Sequence, residues 1–321
     1  GGGRTISDNR GEGTGLSVDG RAELGRDGTL RLAMFDRLKL DGLADVALVA
    51  KRDGNTLDLD VKGPFLDLAT LLAPVVRAET RAAQGALMPN ITTPLRLDLN
   101  VARAVIPSGS AVTDMVLSAR HNGRFFSNAS LSMRSAAGLT EASLTPSSGT
   151  TRTLKASTAD LPLVAKLFAP NLPLVSGKAQ LEGLVPIGEA TGKLTLSGQN
   201  VVVRRDDGGT WAFTKATGPL TMTGQRVVIG EGRAAGPSVG ITVSGLVDLK
   251  EQRLDLRGSL VPAYGMNAAL GGIPVVGGLF VSRPGEGLFA VTYSVQGPFS
   301  SAKLKTNPLS VIAPGLLRRV F

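Results

Sequence analysis

The chain has 321 residues, with 35 Lys and Arg against 26 Asp and Glu, for a net charge of +9. It has no cysteine and one histidine, so disulfides and thiolate metal sites are excluded and His121 is the sole candidate for a histidine-based catalytic centre. The basic balance points to anionic partners. The Lys and Arg are scattered, with no run of five or more, which speaks against nucleic acid and for a solvated basic face or an anionic lipid surface.

The 41 Gly and 18 Pro favour many turns over long helices. The absence of Cys fits an exported chain ahead of a cytosolic one. The opening GGGRTISDNRGEGTG has no apolar core of a signal peptide and reads as a Gly-rich loop, so an exported chain would carry its targeting segment upstream. Within it, GEGTG lacks a preceding apolar strand and a following helix, and is no phosphate loop.

From there the dominant signal is period two. TLRLAM (29–34) places Leu30, Leu32 and Met34 together, and TLDLDV (56–61) does the same with Leu57, Leu59 and Val61. Asp53-Gly54-Asn55 between them is a hairpin signal. The spacing of Leu68, Leu71, Leu72, Val75 and Val76 predicts a helix over 67–83, kinked or restarted at Pro74.

PLRLDLNVARAVIP (94–107) puts Leu95, Leu97, Leu99 and Val101 on one face and Arg96, Asp98 and Asn100 on the other. The alternation fails at Arg103, so the strand ends near Val101 or a bulge around Ala102 resets it before Val105. Asn122-Gly123 and Asp207-Gly208-Gly209 are further hairpin signals. His121, at the mouth of the first, reads as a turn-flanking surface residue.

In RRDDGG (204–209) the two adjacent Asp would point to opposite faces of a strand, so the segment reads as a turn and not a metal site. Asn90-Ile91-Thr92 and Asn128-Ala129-Ser130 match the glycosylation sequon at a frequency chance explains. KLTL (193–196), RLDL (253–256) and LFAVTYSV (288–295) continue the alternation. LLAP (71–74), LFAP (167–170) and VIAP (311–314) recur without a fixed period, pointing to a strand-group-then-short-helix module used more than once. Faces that are apolar on one side and wet on the other belong to antiparallel sheet, packed either as a sandwich core or as an open lining. No catalytic residue, metal ligand set or cofactor site emerges.

The run 258–282 carries no charge and exceeds the roughly 20 residues that span a bilayer. It contains Gly265, Gly271, Gly272, Gly277, Gly278, Pro262 and Pro274. Each interior Gly costs about 1 kcal/mol and each Pro about 3 kcal/mol in a helix. Two short apolar segments broken at Gly271-Gly272-Ile273-Pro274 are expected, either lying in a membrane interface or covering the sheet. The last segment, NPLSVIAPGLLRRVF (307–321), enters a helix at Asn307-Pro308, and Arg318-Arg319 suit its C-terminal end.

GITVSGLVDLKEQRLDLRGSLVPAYGMNAALGGIPVVGGLF (240–280), followed by GEGLFAVTYSVQGPFSSAKLKTNPLSVIAPGLLRRVF (285–321), resembles the C-terminal region of the AsmA-like family of Gram-negative envelope proteins, of the YhdP type. The resemblance is close over 240–321. It implies that 1–321 is the C-terminal section of a larger protein with no firm internal boundary. It also implies a mainly β fold: a long curved antiparallel sheet forming an apolar groove, with a few short helices.

The implied function is non-enzymatic phospholipid transport between inner and outer membranes, by the periplasmic section of a protein anchored upstream in the inner membrane. Acyl chains would line up along Leu57, Leu59, Val61, Leu95, Leu97, Leu99 and Val101. Leu117, Leu131, Met133, Leu254, Leu256, Phe289 and Val291 would extend that lining. Tyr264, Ile273, Phe280, Leu316, Leu317, Arg318 and Arg319 would lie nearest a membrane. The competing expectations are an assembly factor for outer-membrane proteins, whose edge strand pairs with a client or another envelope protein, and an unrelated β-solenoid surface protein.

Overall fold

The computed structural model describes residues 4–6, 11–13, 15–72, 92–167, 172–205, 207–262, 291–299 and 301–307. The chain is mainly β and divides into two compact units, Gly1–Ala159 and Asp160–Phe321.

In the first unit, β1 (Arg4–Ile6) and β2 (Gly11–Gly13) lie along opposite halves of β3 (Leu16–Leu24). The opening segment expected as a loop thus contributes two short edge strands, because the backbone of β3 offers a full ladder on that side. β4 (Leu30–Leu40), β5 (Ala44–Asp53) and β6 (Thr56–Asp67) follow as hairpins. β7 (Pro94–Val105), β8 (Ala111–Asn122), β9 (Phe126–Ser135), β10 (Gly138–Pro146) and β11 (Thr151–Thr158) complete the unit. Among the described residues β11 does not pair back onto β1 or β2, so the sheet is open.

One pairing departs from the expected antiparallel order: β6 and β7 are parallel, with Leu57 opposite Leu95 and Val61 opposite Leu99. A parallel pair needs a connection of a dozen or more residues, and 68–93 supplies it. Its first turn, 68–72, is helical. The rest of the helix expected over 67–83 lies outside the described residues.

The second unit opens with a five-residue helix, Leu161–Ala165, that packs on β12 (Leu174–Pro186). β13 (Thr191–Arg204), β14 (Thr210–Thr223), β15 (Arg226–Ala235), β16 (Val239–Asp248), β17 (Arg253–Pro262), β18 (Val291–Pro298) and β19 (Lys303–Asn307) then pair in chain order, all antiparallel. Among the described residues no helix is long and apolar enough to cross a membrane.

The three hairpin signals all become turns. Gly54, Gly123 and Gly208 adopt φ of 58°, 92° and 82°, values that favour glycine. Asn122 Oδ1 accepts the N–H of both Arg124 and Phe125 at 3.0 Å, which fixes the β8–β9 turn.

The alternation that fails at Arg103 is resolved by a paired irregularity. Val101 faces Met115 and Arg103 faces Thr113, while Ala102 and Asp114 are skipped. Ala102 and Arg103 are both exposed, and Ala104 is again buried. Asp114 takes φ 51°, a conformation that Asp tolerates better than most residues. The second unit repeats the device: Gln199 pairs with Lys215 and Val201 with Phe213, with Asn200 at φ 52° between.

Candidate functional site

In the first unit, the register aligns apolar residues of successive strands into rows that cross the sheet. One row runs Phe35, Leu48, Val61, Leu99, Leu117, Leu131, Ala142 and Ala156, from β4 to β11. The next runs Ala33, Ala50, Leu59, Leu97, Ala119, Ala129, Leu144 and Leu154. Leu57 and Leu95 start a third.

Leu57, Leu59, Val61, Leu95, Leu97, Leu99, Val101, Leu117 and Leu131 therefore share one face, as the alternation predicts. Met133, buried opposite Thr140, lies on the same side. In TLRLAM, by contrast, Ala33 is buried on this face, and Leu32 and Met34 pair with Lys51 and Val49 on the other. Both faces of that segment are apolar, so the sequence did not mark which one turns inward.

Burial grades along the strands. At one end Val101 and Val112 are 1 % and 2 % exposed, joined by Ala44, Leu66, Ala104 and Met115. Thr140 and Thr158 share a hydroxyl–hydroxyl hydrogen bond of 2.8 Å there, satisfying both buried groups. Towards the other end Leu57, Leu59, Leu95, Leu97, Leu117 and Leu131 stay half-buried.

The turn end is polar on this same face. Arg52 on β5 pairs with Leu57, His121 on β8 with Leu95 and Phe126, and Arg152 on β11 with Pro146. Arg52 Nε donates to the Leu30 carbonyl at 3.3 Å. Arg152 is buried; its Nη1 donates to the Phe126 carbonyl at 2.6 Å and its guanidinium lies 5.2 Å from the Phe125 ring centre. Burial pulls the Arg152 pKa below the usual arginine value, yet an arginine stays charged at physiological pH.

His121 is 8 % exposed, against the expectation of a surface residue. It faces the apolar side, edge-on to Phe126 with ring centres 4.8 Å apart. Its Nδ1 accepts the Gly123 N–H at 3.0 Å, leaving Nε2 as the ring's donor. The sequence signal for this placement was present: His121 continues the series Leu117, Ala119.

The opposite face carries the charge. Asp58, Asp60 and Lys62 on β6 lie beside Arg96, Asp98 and Asn100 on β7. Lys62 Nζ donates to Asp60 Oδ2 at 2.8 Å, and that bond raises the Lys62 pKa. These pairs are largely exposed and contribute little stability. Among the described residues no cluster of three or more His, Asp or Glu is placed to hold a metal ion. Of RRDDGG, Arg204 ends β13 and Arg205 and 207–209 lie between β13 and β14, with Arg205 paired to Asp207 and its guanidinium over the Trp211 ring.

In the second unit the same pattern holds. Leu254 and Leu256 align with Val247, Gly245, Gly297 and Val295. Leu260 and Val291 form a buried cluster with Phe213 and Val239. Leu196 and Leu304 on the apolar side are 42 % and 65 % exposed. Phe289, Tyr264, Ile273, Phe280, Leu316, Leu317, Arg318 and Arg319 lie outside the described residues, as do the stretch 263–290 and the tail from 308.

No protein-family model, curated protein or solved structure matches this chain.

Proposed function

We propose that the protein is a non-enzymatic phospholipid carrier whose apolar sheet face is a bed for acyl chains. The observation that carries this reading is the apolar band of the first unit, in which Ala33, Ala50, Leu99 and Ala119 are buried and the other residues of its two complete rows are half-buried. The rows run from β4 to β11, seven strand spacings of about 4.8 Å, a footprint on the order of 500 Å². Monomeric soluble proteins rarely leave contiguous apolar patches above a few hundred Å² without a partner. Leucine, valine and alanine suit fluid tails, because burying a methylene is worth about 0.8 kcal/mol whatever its exact placement. The resemblance of residues 240–321 to AsmA-like envelope proteins supports the same reading. It extends it to a periplasmic section of an inner-membrane-anchored protein that moves phospholipid towards the outer membrane.

A photocrosslinking amino acid in place of Leu97 tests this in cells. Lipid adducts are expected at 97, and none at Val116, which is 45 % exposed on the opposite face. Capture of protein alone at 97, or equal lipid capture at both positions, rejects the proposal.

A further inference from the structure

Among the described residues of the first unit, the apolar face carries arginine and histidine side chains at one end only. Arg52 on β5, His121 on β8 and Arg152 on β11 occupy the outermost row at the turn end, one polar group every third strand. Three strand spacings separate neighbours, roughly 14 Å. The rows at the other end (Ala44, Leu66, Ala104 and Val112) carry no charge and are buried. Between the two ends lies the half-buried leucine band. The face is therefore amphipathic along the strand direction: cationic, then open and apolar, then closed and apolar.

An anionic amphiphile has the same order of groups. We propose that the Arg52–His121–Arg152 row is a headgroup rim: phospholipid phosphates sit along it, and their acyl chains run over Leu57, Leu95, Leu97 and Leu117 towards Val101. The inference rests on the lipid-carrier reading and adds a direction to it. Because Arg52 and Arg152 stand roughly 29 Å apart, about six strand spacings, the rim serves successive headgroups and not one phosphate.

Arg52 is the more accessible of the two, half-buried with one bond to a backbone carbonyl. Arg152 is held by the Phe126 carbonyl and the Phe125 ring and acts as a fixed positive charge at the wall. His121 lies between them in the row, with its Nδ1 taken by the Gly123 N–H. Asp27, in the turn 25–29, is within electrostatic reach of Arg52.

The test compares two fluorescent probes with identical acyl chains, phosphatidic acid and diacylglycerol, on the full chain. Wild type should bind the phosphate-bearing probe about tenfold more tightly, as charge-assisted hydrogen bonds to one phosphate imply. The double variant Arg52→Gln, Arg152→Gln should bring the two affinities together by weakening phosphatidic acid alone.

Arg152→Gln removes a buried contact, so Arg52→Gln alone is the safeguard. It should reduce the preference about threefold, half of the tenfold effect on a logarithmic scale, with the melting temperature unchanged. Equal affinity for both probes in wild type overturns the rim and leaves the lipid-carrier reading standing. So does a variant that weakens both probes equally, or an Arg52→Gln protein that keeps its full preference. If neither probe binds wild type, the carrier reading falls and takes the rim with it.

Discussion

Gly258 shows how one residue's lack of a side chain shapes the apolar face. It sits in register between Val243 on β16 and Tyr293 on β18. The Tyr293 ring lies across it and donates its hydroxyl to the Thr242 carbonyl, two strands away, at 2.7 Å. Burial raises the Tyr293 pKa above its ordinary value, so the phenol remains a donor throughout the physiological range. A Cβ at 258 would stand 2.6 Å from the tyrosine hydroxyl and closer still to the Thr242 carbonyl. Gly258→Ala is therefore expected to cost about 1–3 kcal/mol by overpacking. Thermal melts should show a drop of several degrees, larger than that of Tyr293→Phe, which gives up one hydrogen bond worth about 1 kcal/mol. An unchanged melting temperature for Gly258→Ala would mean that the ring is not held across the glycine. In the sequence, DLRG reads correctly as strand, but nothing local says that its glycine receives a ring from a residue 35 positions on. His121 is the complementary case. Its alternation with Ala119 was visible, but the adjacent turn signal made a surface position the simpler expectation.

At the scale of elements, the described helical turns that lead into LLAP and LFAP both start on an aspartate. Asp67 ends β6, and its carboxylate accepts the Thr70 N–H at 2.9 Å and the Thr70 hydroxyl at 2.7 Å. Asp160 follows β11 and accepts the Leu163 N–H at 3.1 Å. Each satisfies a helix N-terminal donor that would otherwise lack a partner. The sequence exposed the module through LLAP and LFAP, while the capping role of the aspartates became evident only from their hydrogen bonds. Asp67→Ala should cost about 1 kcal/mol, and Asp67→Asn much less, because the amide oxygen still caps. The Thr70 bonds lower the Asp67 pKa from its reference value of 3.8. Its folded value thus lies below its unfolded one, so this stabilisation is complete above the unfolded pKa and is lost as pH falls through the folded value. Urea unfolding of Asp67→Asn from pH 6 down to pH 2 should show a shallower acid loss than wild type. Identical slopes would show that Asp67 carries no such linkage.

At the largest scale, within the sheet of the first unit, the gradient from a closed end to a half-open band sets where that unit's stability comes from. Val101→Ala, at a fully buried site, should cost about 2 kcal/mol, since transfer and cavity terms act together. Leu97→Ala removes more atoms but from the half-buried band, and should cost less in unfolding experiments. The order should reverse for lipid: Leu97→Ala lowers the amount of phospholipid that co-purifies, and Val101→Ala leaves it near the wild-type level per folded molecule. Equal large destabilisation at both sites would mark the band as ordinary packed core and remove the basis for a lipid bed.

The alternation in the chain determined the β class, the hairpin turns and most of the shared apolar face. These are short-range properties: side chains two apart on a strand share a face whatever the strand pairs with. Tertiary structure decided the rest. The parallel β6–β7 pair depends on a connection that returns the chain to the same end of the sheet, which no local pattern encodes. The inward facing of Ala33 over Met34 depends on the strands either side of β4. The grouping of Arg52, His121 and Arg152 depends on register carried across six strand pairings, so residues 100 positions apart in sequence come to occupy one row.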